Sequence, residues 1–188
     1  MNLTHLLTLT TAVCAVLSGC APNTPFPPNV MEKVSPTFHF EAWRDAPPSN
    51  EAGKTDAGHK VLLGGRIIQA TKSAKGIVIV AEQLPIVNHP AYGPTEDVKR
   101  TGDYEFAFLY PGELEPQALK NGNRFLIVGT TTSRRPVVVN GVPKTEPFLL
   151  ADCIHVWQTG RTEIAEFKED AGGGYSPLPE KTYCVAQK

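Results

Sequence analysis

The chain has 188 residues, 18 of them Lys or Arg and 19 Asp or Glu, so its net charge at pH 7 is −1. This balance argues against a nucleic-acid-binding protein, which needs a basic surface, and it leaves no polybasic patch for anionic lipids. With 41% hydrophobic residues the chain can bury a core, and its length suits one domain with a short extension.

The N-terminus combines a short apolar segment, residues 6–17, with the stretch Leu17-Ser18-Gly19-Cys20. As a helix the segment would span about 18 Å against roughly 30 Å of membrane hydrocarbon, so it suits a signal peptide rather than a membrane span. The stretch resembles a bacterial lipoprotein signal. It predicts a signal peptide over residues 1–19, cleavage between Gly19 and Cys20, and lipid on Cys20. The alternative is an ordinary secreted protein cut nearby, with Cys20 as a structural cysteine.

The lipid would determine the cellular location of the protein. One acyl chain holds a protein to a membrane only marginally, and lasting attachment takes two or more signals. The lipoprotein resemblance implies a diacylglyceryl group and usually a further acyl chain on Cys20. It also implies sorting to the outer membrane of a Gram-negative cell, because Ala21 and not Asp follows the cysteine. No cofactor is expected beyond this covalent lipid.

The four cysteines separate by position. Cys14 leaves with the signal peptide and Cys20 takes lipid, so Cys153 and Cys184 remain as an even pair in an oxidising compartment. A disulfide between Cys153 and Cys184 is predicted. The alternative is two unpaired thiols, one of them buried in a strand.

Three segments outside the core are predicted from composition. Residues 20–30 hold four prolines and no charge, so they suit an extended tether that lifts the domain off the membrane. Residues 45–59 have no large apolar side chain and suit an exposed loop. Residues 161–188 form a tail tied back by the disulfide, and the folded domain spans 31–160.

Five strands are predicted, at residues 61–71, 77–83, 103–110, 124–132 and 148–157. The Gly64-Gly65 pair in the first strand predicts a bulge or sharp coil. In the third strand the alternation places the aromatic side chains on one face and Asp103 and Glu105 on the other. Residues 115–122 suit a short helix, with Pro near its start and Gly at its end. The Asn140-Gly141 pair predicts the turn of an added hairpin between the fourth and fifth strands.

Together these elements predict a mainly β protein. Five strands with one short helix between the third and fourth match a small OB-like five-stranded antiparallel barrel.

Three segments carry a resemblance to a known family: Gly64-Gly65-Arg66-Ile67-Ile68, Gly112-Glu113-Leu114-Glu115-Pro116, and residues 122–129. In this order, with the lipobox, the Asn-Gly hairpin and the late Trp157, they resemble the Slp family of outer membrane lipoproteins, named for starvation induction, over roughly residues 30–158. The resemblance implies an envelope lipoprotein tied to stress or stationary phase, and it brings no catalytic residues.

The sequence shows no catalytic motif that supports an enzyme. No Gly-x-Ser-x-Gly elbow occurs. The mature histidines are His39, His59, His89 and His155. None lies two to five residues from another, so no metal site is predicted. His155 shares a strand face with Cys153 and Trp157, which favours a packed histidine over a metal or redox role. The basic doublets Lys99-Arg100 and Arg134-Arg135 are interpreted as solvated charge, with glycan binding as a weaker alternative.

Three hypotheses for function follow. The favoured one is a non-enzymatic envelope lipoprotein with a structural or interaction role. Its expected partners are the membrane, through its lipid, and an envelope glycan or protein of unknown identity. The alternative is an OB-type module that binds an envelope oligosaccharide, which exposed Tyr92, Tyr104 or Tyr110 would support. The third, a periplasmic enzyme, is disfavoured by the motif search.

Overall fold

The computed structural model describes residues 24–46, 58–89, 91–95, 100, 102–162 and 171–186. The predicted signal peptide, with Gly19 and Cys20, lies outside the described residues. Within them, two helices precede eight strands: α1 (Pro28–Met31), α2 (Phe40–Asp45), β1 (Lys60–Ser73), β2 (Gly76–Leu84), β3 (Asn88–His89), β4 (Gly93–Pro94), β5 (Glu105–Tyr110), β6 (Arg124–Val139), β7 (Val142–Trp157) and β8 (Glu180–Cys184). In this part of the chain no helix is long and apolar enough to cross a membrane.

The main sheet has six strands in the order β5-β2-β1-β6-β7-β8, and β5 also pairs with β7, so the hydrogen bonding runs in a ring. The mainly β prediction is confirmed, and the five predicted strands correspond to β1, β2, β5, β6 and β7. The all-antiparallel prediction is wrong at one place, because β5 and β7 pair in parallel where the ring closes. The sixth strand, β8, pairs with the second half of β7.

The core fills the inside of the ring. The side chains of Phe106, Phe108 and Phe125 are fully buried there. The predicted aromatic face of β5 therefore points inward. The helix α2 adds Phe40 and Trp43 to the same cluster, and both rings contact Phe106. A filled interior is typical of small barrels.

The Gly64-Gly65 pair does not mark a bulge. The register shift of β1 against β2 lies further along, between Ile67 and Gln69. A Cβ on Gly65 would lie 2.6 Å from the Phe125 ring, closer than two carbon atoms can approach. The glycine is therefore explained by a close contact across the sheet, where the ring of Phe125 takes the space of a side chain.

The predicted helix at residues 115–122 is wrong, because the structure has hydrogen-bonded turns at residues 116–119. The Asn123 side chain donates to the carbonyl oxygens of Gln117 at 2.8 Å and Ala118 at 3.2 Å. These acceptors would otherwise bond to later backbone amides of a helix.

The predicted hairpin is the far end of β6 and β7 rather than a separate element. The two strands run on for 16 residues each and meet at Asn140-Gly141, whose φ angles of 50° and 82° suit the predicted two-residue turn. We call residues 135–146 the hairpin arm. Val137 and Val139 of the arm pack near Val80 and Ala107 on the outer face of the ring. This covering explains why Ala107 is buried although it lies opposite the aromatic face.

Candidate functional site

The segment that follows the predicted lipidation site packs on the outside of the barrel. Phe26 and Val30 are 5% and 4% exposed and contact Leu126, Val128 and Trp157 of β6 and β7. Pro28 starts α1 at a helical position where its missing N–H costs nothing. The described end of the predicted tether, residues 24–30, is therefore docked rather than extended into solvent. We call residues 24–34 the docked segment.

The docked segment would limit the distance between the barrel and a lipid on Cys20. Phe26 comes six residues after Cys20, and six residues reach at most about 20 Å when fully extended. The segment also touches β8, where the Thr182 hydroxyl donates to the Pro25 carbonyl at 3.3 Å. The docked segment and β8 thus meet on one face of the barrel.

A disulfide holds the tail in this place. Cys153 of β7 and Cys184 of β8 are bonded, with their Cα atoms 4.1 Å apart. Beside the bond, His155 is buried, its Nδ1 lies 2.7 Å from the Thr182 hydroxyl, and its ring centroid lies 4.2 Å from that of Trp157. Burial lowers the pKa of His155 below its usual value, against a smaller opposing effect from Glu180. A neutral, packed imidazole is the state that this environment favours.

A comparison with protein-family models identifies the family of the chain. The model of the outer membrane lipoprotein Slp family matches residues 17–183. The chain belongs to the Slp family. This membership places the protein in the outer membrane of a Gram-negative cell, as the sequence predicts. The match extends beyond residues 30–158 at both ends, so it covers the docked segment and β8 as far as Tyr183 as well as the barrel. No curated protein and no solved structure matches the chain.

The tyrosines of this Slp-family protein do not form a platform for sugars. Tyr92 and Tyr110 are 1% and 2% exposed. Tyr104 is half-buried beneath two guanidinium groups, with Arg100 4.0 Å and Arg44 5.1 Å from its ring centroid. Exposed aromatic faces were the condition for the oligosaccharide alternative, which therefore loses its support.

The basic doublets have partners within the Slp-family fold. Arg100 donates to the Gln83 side chain at 2.6 Å, and Arg134 donates to the Thr145 carbonyl at 2.9 Å. Arg135 lies over the Phe148 ring. Lys99 is outside the described residues. These arginines hold loops and the hairpin arm in place, which weakens the interpretation that they grip an anionic glycan.

Sequence reasoning missed the docked segment and β8. The available signal was the two large apolar side chains Phe26 and Val30 in an otherwise polar and proline-rich stretch. It was hidden by the surrounding prolines, which favour an extended tether. In β8, the residues Lys181, Thr182 and Tyr183 give no clear apolar alternation, because the strand lies at the edge of the sheet with mostly exposed side chains.

The buried His155 predicts a pH effect on stability. The pKa of His155 is lower in the folded protein than in the unfolded chain. Below about pH 6.5 the unfolded chain therefore binds this proton more readily, and the free energy of unfolding falls as the pH is lowered. His155→Gln should lessen this fall, as measured by urea unfolding at about pH 7.5 and 5.5. His59→Gln, at an exposed histidine, is the matched control. An unchanged pH dependence in His155→Gln would refute the assignment.

Proposed function

We propose that this Slp-family protein is a non-enzymatic, periplasm-facing lipoprotein with a structural or interaction role in the envelope, exercised under stress or starvation. The observation that carries the proposal is the docked segment. Because Phe26 and Val30 are buried on the barrel six residues or more after Cys20, a lipid on Cys20 would hold the folded domain close to the membrane surface. Its partners would then be envelope components within that reach.

The packing of the barrel supports a role for its surface. Phe106, Phe108 and Phe125 fill the interior of the ring, so ligands and partners are left with the outside of the described domain. Among the described residues, the large hydrophobic side chains with the most exposure include Val87 at 61% and Val138 at 54%. These two positions suit crosslinking probes because substitution there disturbs no core packing.

We assign the ring of strands to the OB type as part of the same proposal. Five strands bonded in a closed ring support it, since the OB fold is a five-stranded barrel. The turns at residues 116–119 stand where the predicted helix would lie. The assignment carries no activity with it, because one fold serves many functions.

The interaction role predicts crosslinks in intact cells. Photo-reactive residues at Val87, Val138 and the exposed Glu113 are introduced singly, and cells are irradiated during growth and after starvation. We expect a discrete adduct at Val87 or Val138, stronger after starvation, because a membrane-held domain meets the same neighbours repeatedly. Adducts at all three sites in equal yield would indicate random collision and contradict the role, as would none at all.

Cys20→Ala is the control for this experiment. Wild type should incorporate radioactive fatty acid and stay with the outer membrane in high salt, because two or more acyl chains anchor lastingly. Cys20→Ala should lose the label, the membrane association and the adduct together. Labelling of Cys20→Ala, or release of wild type by salt alone, would refute the anchor.

A further inference from the structure

An open cavity of about 530 Å³ lies between α2, the start of β5 and the hairpin arm. Its walls combine four carboxylates with two guanidinium groups, from Asp45, Asp103, Glu105, Glu146, Arg44 and Arg134. Asp45 is paired with Arg44. One carboxylate oxygen from each of Asp103, Glu105 and Glu146 lies within 4.8 Å of the others. Three anionic groups at this distance repel one another, so the arrangement needs a balancing charge.

The closure of the ring brings the carboxylates together. In the parallel pairing of β5 with β7, Ala107 lies opposite Phe148. Two residues earlier on each strand, Glu105 and Glu146 therefore lie side by side on the same outer face. Asp103, a further two residues back, continues the same row toward the cavity.

Glu146 is the member of the cluster that points to a ligand. It is only 5% exposed, and no hydrogen-bond donor reaches its carboxylate among the described residues. Burial, followed by the charges of Asp103 and Glu105, raises the pKa of Glu146 above its usual value. A buried carboxylate is normally paired or bound to a metal, and here it faces the cavity without a hydrogen-bonding partner.

The nearby cations are engaged elsewhere. Arg44 donates to the Asp45 carboxylate at 2.8 Å and 3.0 Å and to the Asp103 carbonyl at 2.9 Å. Arg134 donates to backbone carbonyls. Lys144 contacts Glu105. Its ammonium group pairs with one of the three carboxylates. The charges of Lys144 and Arg134 also favour ionised Glu146, but burial and the two neighbouring carboxylates outweigh them and its pKa stays raised.

We propose that Asp103, Glu105 and Glu146 form a binding site for a divalent cation, with Ca²⁺ preferred. Carboxylate oxygens are the ligands of hard cations, and Ca²⁺ tolerates irregular geometry and completes its shell with water. The flanking guanidinium groups weaken the site, so the expected dissociation constant is on the order of 10⁻⁴–10⁻³ M, as in extracellular modules. Lys144 competes with the ion for Glu105.

The test uses the full-length lipidated protein in a neutral detergent, with CaCl₂ as the only probe. At about 10 mM Ca²⁺ the melting temperature should rise by about 3–10 °C over a NaCl control of equal ionic strength. Glu146→Gln should show no such rise. Without the ion Glu146→Gln should melt above wild type, because it removes a buried charge. A variant that melts above wild type without Ca²⁺ and does not respond to Ca²⁺ has lost a ligand. A damaged fold would melt below wild type in both conditions.

Two further variants sharpen the test. Lys144→Met should bind Ca²⁺ at least threefold more tightly in calorimetry, because it removes the competing ammonium group. Glu113→Gln changes an exposed glutamate outside the cavity and should respond like wild type. No rise in wild type, or an equal rise in Glu146→Gln, would overturn the site. Both results come from purified protein, so they are independent of the envelope role.

Discussion

Phe106→Ala is expected to lower the free energy of unfolding by about 3–5 kcal/mol, the range for removing a large aromatic side chain from a core. Phe106 is fully buried. Its ring centroid lies 5.8 Å from that of Phe40, 6.0 Å from that of Phe108 and 6.3 Å from that of Phe125. The ring therefore joins α2, β5 and β6, and the cavity left by alanine would open where three elements meet.

Urea unfolding followed by tryptophan fluorescence measures the effect, because Trp43 is a direct neighbour of Phe106. Phe38→Ala is the matched control. Phe38 also contacts Trp43, at 5.7 Å between ring centroids, but it is only partly buried at the edge of the cluster. Its loss should be well below that of Phe106→Ala. Equal losses in the two variants would contradict the placement of Phe106 at the centre of the core.

The sequence predicted the parts of the fold that are encoded locally. β2 was found because Ile77, Val78, Ile79 and Val80 form a continuous apolar run, typical of a strand buried on both faces. β5 was found from its alternation, and the turn at Asn140-Gly141 from residues that tolerate positive φ. Each of these signals lies within about ten residues of chain.

The parts that were missed depend on distant partners. The segment at 115–122 has the ends of a helix, but the Asn123 side chain takes two of its carbonyl oxygens. The row of Glu105 and Glu146 exists only because β5 and β7 close the ring in parallel. No spacing rule connects two carboxylates 41 positions apart, so the candidate cation site was outside the reach of the sequence.

Removing the disulfide is expected to lower the free energy of unfolding by about 3.5–4 kcal/mol, on the chain-entropy estimate for a closed loop of this size. Cys153 and Cys184 are 31 residues apart. β8 is an edge strand with mostly exposed side chains, and its apolar contact with the core comes from the partly buried Tyr183. The bond is therefore the main restraint that keeps the tail on β7, and the paired Cys153→Ala and Cys184→Ala variant should lose β8 before it loses the barrel.

Hydrogen exchange at Thr182 and Tyr183 measures this local loss, and urea unfolding measures the global one. Reduced wild-type protein is the control, because it keeps both side chains and lacks only the bond. If reduced wild type and the double alanine variant lose β8 alike, the covalent link is responsible. If only the alanine variant does, the packing of the buried Cys153 is responsible and the entropic account fails. Loss of β8 would also expose His155, whose low pKa depends on burial, so the acid sensitivity specific to this histidine should disappear together with the bond.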